Sequence, residues 1–249
     1  MKKIFLFAAV ALFSMGSMIA QNTFKGVVNY EVTSTGKVPY QLPDQVKTAT
    51  ITVLDDKATT TSPILLGSPM VSQILVEGRT SYSCLDLSMI LMYLQQNDVE
   101  ISYTGAGKLL TSSTITQNEL DSLTIPVTEG FYIEYVDGET KTIAGYTAKK
   151  AVVHVFGEDG DDHQTIVWYT DEIGPEVNPM FTYVRGMALQ TSMDLGEGRE
   201  ITLTATEVKK GKVSKAEMLL PSGFEEISSE DFQKLWGEIS EELKYLSEE

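Results

Sequence analysis

The chain has 249 residues, of which 35 are acidic and 19 are basic, and its formal net charge at pH 7 is −16. A protein this acidic repels the phosphates of nucleic acids and the head groups of anionic lipids, so nucleic-acid binding and electrostatic docking to a membrane are disfavoured. The single cysteine, Cys84, rules out an intramolecular disulfide, and we expect it to be a small buried side chain. A core must therefore stabilise the fold by itself, which a chain of this length can do.

The first 20 residues have the pattern of a signal peptide. Lys2 and Lys3 precede an apolar run over residues 4–13, and the small residue Ala20 stands before Gln21. The apolar run is too short to span a bilayer, and no cysteine follows the expected cleavage point. We therefore expect a periplasmic or secreted protein without a lipid anchor or stable membrane insertion. Residues 21–249 are expected to form a single β-rich domain, because no repeat or long linker divides them.

Alternating apolar and polar side chains predict strands in the first third of the chain. The first strand is expected over residues 24–33. Two hairpins follow, one turning at Asp55 and Asp56 and the other at Gly78, since Asp and Gly favour turns.

The apolar run over residues 87–94 is ambiguous, because a short run of this kind is compatible with a buried strand or with a helix. We expect a strand, since Asp86 provides a turn and eight residues is a typical strand length. A helix over residues 86–96 is the alternative. Further along, residues 117–123 are expected to form one or two helical turns.

The centre of the chain predicts a long hairpin. Residues 131–136 alternate as a strand, and Asp137 with Gly138 is expected to turn the chain. Residues 146–156 and 164–170 then read as two strands joined by a turn at 157–162, which is rich in Gly and Asp. Two more strands are expected over residues 187–195 and 199–208.

The C-terminal segment predicts an amphipathic helix. Ser228 is a suitable N-cap with Asp231 three residues on, and acidic residues favour the start of a helix. Apolar residues then follow at helical spacing, namely Phe232, Leu235, Trp236, Ile239, Leu243 and Leu246. The predicted fold class is therefore mostly β (α+β): a curved antiparallel sheet of about ten strands with this helix packed against it.

No catalytic or cofactor motif is present. The chain lacks the G-x-S-x-G motif of hydrolases, and His154 lies on a predicted strand face, where a structural role is expected. His163 lies at an acidic turn with Glu158, Asp159, Asp161 and Asp162, where we expect exposure to solvent. That turn lacks the spacing of an EF-hand, so a calcium site there is the weaker alternative. We expect a non-enzymatic protein without cofactor or metal.

Aromatic and methionine side chains are frequent on the predicted strands. Such side chains suit irregular apolar cavities, although an ordinary packed core is the alternative. The residues predicted to line an apolar pocket are Met92, Phe131, Ile133, Trp168, Phe181 and Met187.

Short segments of the chain match a family pattern. The most specific are Ile143-Ala144-Gly145-Tyr146 with Lys149-Lys150-Ala151, and Trp168-Tyr169-Thr170, beside KGVVNYEV at the start and LPSGFEEIS near the end. Over nearly the whole chain the sequence resembles an exported Gram-negative domain-of-unknown-function family related to the GLPGLI proteins. The resemblance implies a fold similar to that of periplasmic lipoprotein carriers, a half-barrel around an apolar cavity. The family has no assigned activity, so no residue role is carried over.

The leading hypothesis from the sequence is a non-catalytic periplasmic protein that binds a lipid or other apolar ligand in the concave face of the sheet. The alternative is a cell-envelope interaction or structural module that binds an envelope protein and has no small-molecule ligand. A hydrolase with carboxylates brought together by the fold is a third hypothesis, for which the sequence nominates no pair.

Overall fold

The computed structural model describes residues 24–35, 48–62, 71–156, 161–174, 183–194 and 200–248. Within these ranges the chain forms twelve strands and three α-helices. The strands are β1 (Lys25–Thr35), β2 (Thr48–Leu54), β3 (Lys57–Ser62), β4 (Val71–Glu77), β5 (Thr80–Asp86), β6 (Lys108–Thr114), β7 (Phe131–Ile143), β8 (Tyr146–Phe156), β9 (Asp162–Thr170), β10 (Met187–Asp194), β11 (Glu200–Lys210) and β12 (Glu225–Glu226). The helices are α1 (Ser88–Gln96), α2 (Gln117–Ser122) and α3 (Ser229–Glu248).

The strands form one open, curved sheet in the order β12-β6-β5-β4-β3-β2-β1-β11-β10-β9-β8-β7. Neighbouring strands are antiparallel except at one edge, where the two-residue strand β12 runs parallel to β6. One side-chain hydrogen bond links two strands that are not neighbours. The Tyr30 hydroxyl on β1 donates to the Ala188 carbonyl on β10 at 2.6 Å, although β11 lies between these two strands. The predicted fold class, mostly β with a curved antiparallel sheet and a C-terminal helix, is confirmed.

Three predicted hairpins are present. β2 and β3 pair around Asp55 and Asp56, and β4 pairs with β5 around Gly78. Asp55 and Gly78 both have φ of 58°, a left-handed conformation that Asp tolerates and Gly adopts without steric cost. β8 also pairs with β9 as predicted, while residues 157–160 of their connection lie outside the described residues.

The predicted turn at Asp137 and Gly138 is wrong. β7 continues through it to Ile143, and the pairing with β8 shifts register between Val136 and Thr140. A glycine with positive φ serves a bulge as well as a turn, and Gly138 has φ of 77°. The chain reverses instead at Ala144 and Gly145, whose φ angles are 48° and 85°.

The strand predicted over residues 87–94 is also wrong, and the helical alternative is correct. α1 starts where the Asp86 carboxylate accepts a hydrogen bond of 3.0 Å from the Ser88 backbone N–H. Helical spacing places Ile90 and Leu94 on one face, where they are buried. They pack in a cluster with Leu87, Leu109 of β6, and Leu235 and Ile239 of α3.

The two other helices agree with the sequence. α2 is short and carries a capping box, in which Thr116 and Glu119 satisfy each other's backbone N–H groups. α3 begins after Ser228, whose hydroxyl accepts a 3.0 Å hydrogen bond from the Asp231 N–H. The predicted helix is therefore confirmed together with its N-cap.

A central apolar cluster joins β1, β2 and β3 to β10 and β11. Its largest fully buried side chains include Tyr30, Ile51, Met187 and Leu189. Cys84 on β5 is free and 1% exposed, as predicted for a small buried side chain.

Among the described residues, no helix has both the length and the apolar character needed to cross a membrane. The proposed signal peptide, residues 1–20, lies outside the described residues, so it stays a prediction.

Candidate ligand-binding site

The residues predicted to line one apolar pocket lie in different places. Phe131 and Ile133 belong to a cluster formed by β7, β8 and β9. Met187 is fully buried in the central cluster, and Trp168 packs against that cluster. These four residues therefore belong to two different clusters.

Met92 stands apart from both clusters, and Phe181 is not among the described residues. Met92 lies on the outer side of α1 and is 45% exposed, beside Met89 and Tyr93, which are also exposed. Ligand binding by any of the six remains a prediction.

The cluster that holds Phe131 and Ile133 is the best candidate site, and we call it the tyrosine cluster. Strand pairing explains how it forms, since Tyr135 of β7 stands opposite Ala151 of β8, which stands opposite Val167 of β9. The tyrosine cluster comprises Phe131, Ile133, Tyr135, Ala151, Val153, Val167, Tyr169, Val184 and Ala188, with Leu123 packed against them. The Tyr135 and Tyr169 rings meet edge to face, with centroids 5.6 Å apart and planes at 75°.

Arg185 is placed over the tyrosine cluster by the backbone that leads into β10. The next residue, Gly186, has φ of 71°, and a Cβ there would lie 2.4 Å from the Thr170 carbonyl oxygen. Only glycine fits that conformation and that close approach to the end of β9. The local backbone therefore requires Gly186 in order to hold Arg185 in position.

The Arg185 guanidinium is fixed by both tyrosines. The guanidinium Nε and Nη2 donate to the Tyr169 hydroxyl oxygen at 3.3 and 3.1 Å. The backbone N–H of Arg185 donates to the Tyr135 hydroxyl oxygen at 3.3 Å. The guanidinium carbon lies 4.6 Å from the Tyr135 ring centroid and 5.6 Å from that of Tyr169. Such cation–π contacts, together with the hydrogen bonds, hold the group in one orientation.

The charge around Arg185 is partly balanced. Asp171 Oδ1 lies 3.9 Å from Arg185 Nε, while its other carboxylate oxygen accepts a 2.6 Å hydrogen bond from Lys149 Nζ. Two cations thus surround one carboxylate, which leaves one positive charge. Glu172 lies next in the chain, and its carboxylate accepts a hydrogen bond from the Thr147 backbone N–H at 3.4 Å.

The protonation states of this site are set by its surroundings. Partial burial acts to lower the pKa of Arg185, but the hydrogen bond to Tyr169 and the nearby negative groups outweigh it, so that the pKa is raised. Burial raises the pKa of the Tyr135 phenol. At neutral pH the site therefore holds a charged guanidinium beside the neutral phenol of Tyr135.

One edge of the guanidinium faces away from the tyrosines. The Arg185 side chain is 58% exposed, and among the described residues none accepts a hydrogen bond from its Nη1. A guanidinium has five N–H donors in a planar fork, so donors remain for an external acceptor.

Exposed apolar side chains lie near the tyrosine cluster in the chain. The Phe131 and Tyr183 rings contact each other at 5.0 Å between centroids, and Tyr183 is 39% exposed. Ile125 and Val127, in the segment that leads into β7, are exposed as well. That segment is tied to the sheet edge, because the Ile133 N–H donates to the Leu123 carbonyl at 2.6 Å.

His154 has a structural environment, as predicted. Its Nδ1 lies 2.9 Å from the Asp162 carboxylate and its Nε2 lies 3.4 Å from that of Glu134, and its ring stacks on Tyr132 at 4.3 Å. Both ring nitrogens are thus engaged within the sheet. His163 is exposed, also as predicted.

Within the part of the chain that the structure describes, no group of three or more His, Cys, Asp or Glu side chains is arranged to hold a metal ion. The calcium alternative at residues 158–163 rests partly on residues 157–160, which lie outside the described residues.

The sequence patterns did not predict the contact between Tyr135 and Arg185. A usable signal was present, because the chain contains three arginines and Arg185 is the one that directly follows an aromatic-rich stretch, MFTYV. Arginine beside aromatic residues favours stacked or bidentate contacts.

The sequence matches no protein-family model and no curated protein. Membership of the GLPGLI-related family therefore stays a prediction. Several solved structures are similar to this chain. A structure of PNGF-II aligns with a TM-score of 0.51 at 17% identity and covers 86% of this chain and 34% of PNGF-II. This chain thus spans about a third of the length of PNGF-II, and the likeness concerns the fold alone.

Two other solved structures align less closely. The Pseudomonas aeruginosa MucA/MucB complex aligns with a TM-score of 0.39 at 12% identity, covering 82% of this chain and 58% of the other. A LolA superfamily protein from Nitrosomonas europaea aligns with a TM-score of 0.26 at 11% identity, covering 80% of this chain and 91% of the other. These two scores are too low to add to what the PNGF-II alignment says about the fold.

Proposed function

We propose that this protein is a non-catalytic binding protein, located in the periplasm or secreted, that holds an apolar or amphiphilic ligand against the tyrosine cluster. One observation carries the proposal: the Tyr183 ring, which is 39% exposed and contacts Phe131, stands two residues before Arg185, whose guanidinium is held by hydrogen bonds to Tyr169. Ligand sites commonly combine a broad apolar lining with a few placed polar groups.

A ligand that covers exposed apolar surface gains free energy in proportion to the area covered. Each Å² of apolar surface that a ligand covers is worth about 25 cal/mol. Tyr183, Ile125 and Val127 are exposed and offer such surface, and the Tyr183 ring contacts Phe131 of the tyrosine cluster. A ligand would therefore lie on this cluster and would not need to open the core.

Native mass spectrometry of protein purified from its own cells, followed by lipid analysis of the denatured sample, tests the proposal. A stoichiometric apolar adduct is expected. The delipidated protein should then bind the neutral probe N-phenyl-1-naphthylamine saturably, and Tyr183→Ser should weaken that binding. Tyr93→Ser is the matched control, because Tyr93 is similarly exposed, at 47%, but lies on α1. Absence of both an adduct and saturable probe binding would overturn the proposal.

A second candidate function is an interaction module for an envelope protein. It is favoured by α1, which exposes Met89, Met92 and Tyr93 on one side, with Met89 66% exposed. Methionine is an adaptable side chain that is common on protein-binding surfaces. This candidate predicts that crosslinking in whole cells captures a partner, that Met89→Gln combined with Met92→Gln abolishes the crosslink, and that no apolar adduct is found.

A further inference from the structure

Arg185 has the properties of a head-group anchor. Its guanidinium is held from one side by hydrogen bonds to Tyr169 and by the Tyr135 ring, at the distances given above. A group that is already oriented loses little conformational freedom when a ligand binds. The Arg185 side chain is 58% exposed, so a ligand can reach its outward N–H donors.

We infer that the ligand is a long-chain carboxylic acid, bound with its carboxylate on Arg185 and its alkyl chain along Phe131 and Tyr183. This inference rests on the proposed function and adds the chemical class of the ligand. A planar guanidinium binds a carboxylate through parallel N–H···O hydrogen bonds, which are stronger than those between neutral groups. The apolar rings beside it give the chain a surface to cover.

The local charge selects a singly charged head group. Lys149 and Arg185 together carry two positive charges, and Asp171 removes one of them. A monoanion balances the charge left by these three side chains, and Glu172, next in the chain, adds a carboxylate that disfavours a second negative charge. A phosphate monoester carries about 1.5 to 2 negative charges near neutral pH. The second charge would meet Asp171, 3.9 Å from Arg185 Nε, and the field of a chain whose net charge is −16.

Isothermal titration of the delipidated protein at pH 7 with three ligands of equal chain length tests the inference. The ligands are dodecanoate, dodecanol and dodecyl phosphate. Dodecanoate is expected to bind most tightly. Arg185→Gln should weaken dodecanoate binding by about tenfold to a hundredfold, the worth of a charge-assisted hydrogen bond, and should leave dodecanol binding unchanged.

Two more variants make the test specific. Arg185→Lys keeps the charge but loses the fork, so its affinity for dodecanoate should lie between those of the wild type and Arg185→Gln. If Arg185→Gln does not fold, the Arg185→Lys variant still tests whether dodecanoate binding depends on the guanidinium. Lys212→Gln is the control, because it removes the same charge from an exposed residue after β11 and should not change the affinity.

The outcomes separate this inference from the proposed function. If none of the three ligands binds but N-phenyl-1-naphthylamine does, the carboxylate assignment is overturned and apolar binding stands; if the purified protein carries no adduct and the probe does not bind either, both are wrong. If dodecanoate and dodecanol bind equally, and Arg185→Gln affects neither selectively, apolar binding stands and the carboxylate assignment is overturned. Tighter binding of dodecyl phosphate that depends on Arg185 would overturn the choice of carboxylate over phosphate.

Discussion

At the scale of single residues, one buried hydroxyl connects strands that are not neighbours. Tyr30 is 1% exposed, and its hydroxyl donates to the Ala188 carbonyl at 2.6 Å. Desolvation raises the pKa of the phenol, so it stays a donor throughout the neutral range. The bond fixes β1 relative to β10 at the point where Ala188 also belongs to the tyrosine cluster.

Tyr30→Phe should therefore lower the free energy of unfolding by about 1 kcal/mol, because the Ala188 carbonyl loses its buried donor. Urea denaturation followed by circular dichroism measures this. Tyr93→Phe removes the same atom from a tyrosine that is 47% exposed and should have no measurable effect. Equal effects of the two substitutions would show that the buried bond contributes nothing.

At the scale of elements, α1 and β7 show what sequence patterns can and cannot predict. The turn positions of β2–β3 and β4–β5 follow from local chemistry, so Asp55 and Gly78 were enough to predict them. Whether residues 88–96 form a helix or a strand depends on a partner that is distant in the chain, because Ile90 and Leu94 pack in a cluster with residues of α3. A short apolar run carries no information about that partner.

The candidate site shows the same limit. The sequence predicted Phe131 and Ile133 as residues of an apolar pocket, and both lie in the tyrosine cluster. The contact between Tyr135 and Arg185, in contrast, joins residues 50 positions apart, and it requires the β7-β8-β9 strand order and the backbone at Gly186. Spacing along the chain contains neither of these facts.

The packing of α3 against α1 and β6 is tested by one buried side chain. Ile239 is fully buried in the cluster with α1 and β6, so Ile239→Ala should lower the free energy of unfolding by about 2–5 kcal/mol. Tyr245→Ala is the control, because Tyr245 lies on the same helix and is 61% exposed. The measurement is denaturant unfolding of both variants, and a small loss for Ile239→Ala would mean that α3 is only loosely attached.

At the scale of the whole molecule, the sheet is open and has two different edges. One edge ends in β12, which has two residues, and so offers little backbone for pairing with another chain. The other edge is β7, with 13 residues, where the register shift after Val136 and the hydrogen bond to Leu123 interrupt a regular edge. Bulges and covering segments are ways in which proteins prevent edge-to-edge association.

The net charge of −16 is the other property of the whole molecule, and it opposes compactness through repulsion between carboxylates. Raising NaCl from about 10 mM to about 200 mM shortens the screening length severalfold and should raise the thermal unfolding midpoint. The effect should nearly vanish near pH 4.3, where about half of the glutamates are neutral. Differential scanning calorimetry at both pH values measures this. An equal rise at both would mean that a specific salt effect, and not relief of repulsion, stabilises the fold.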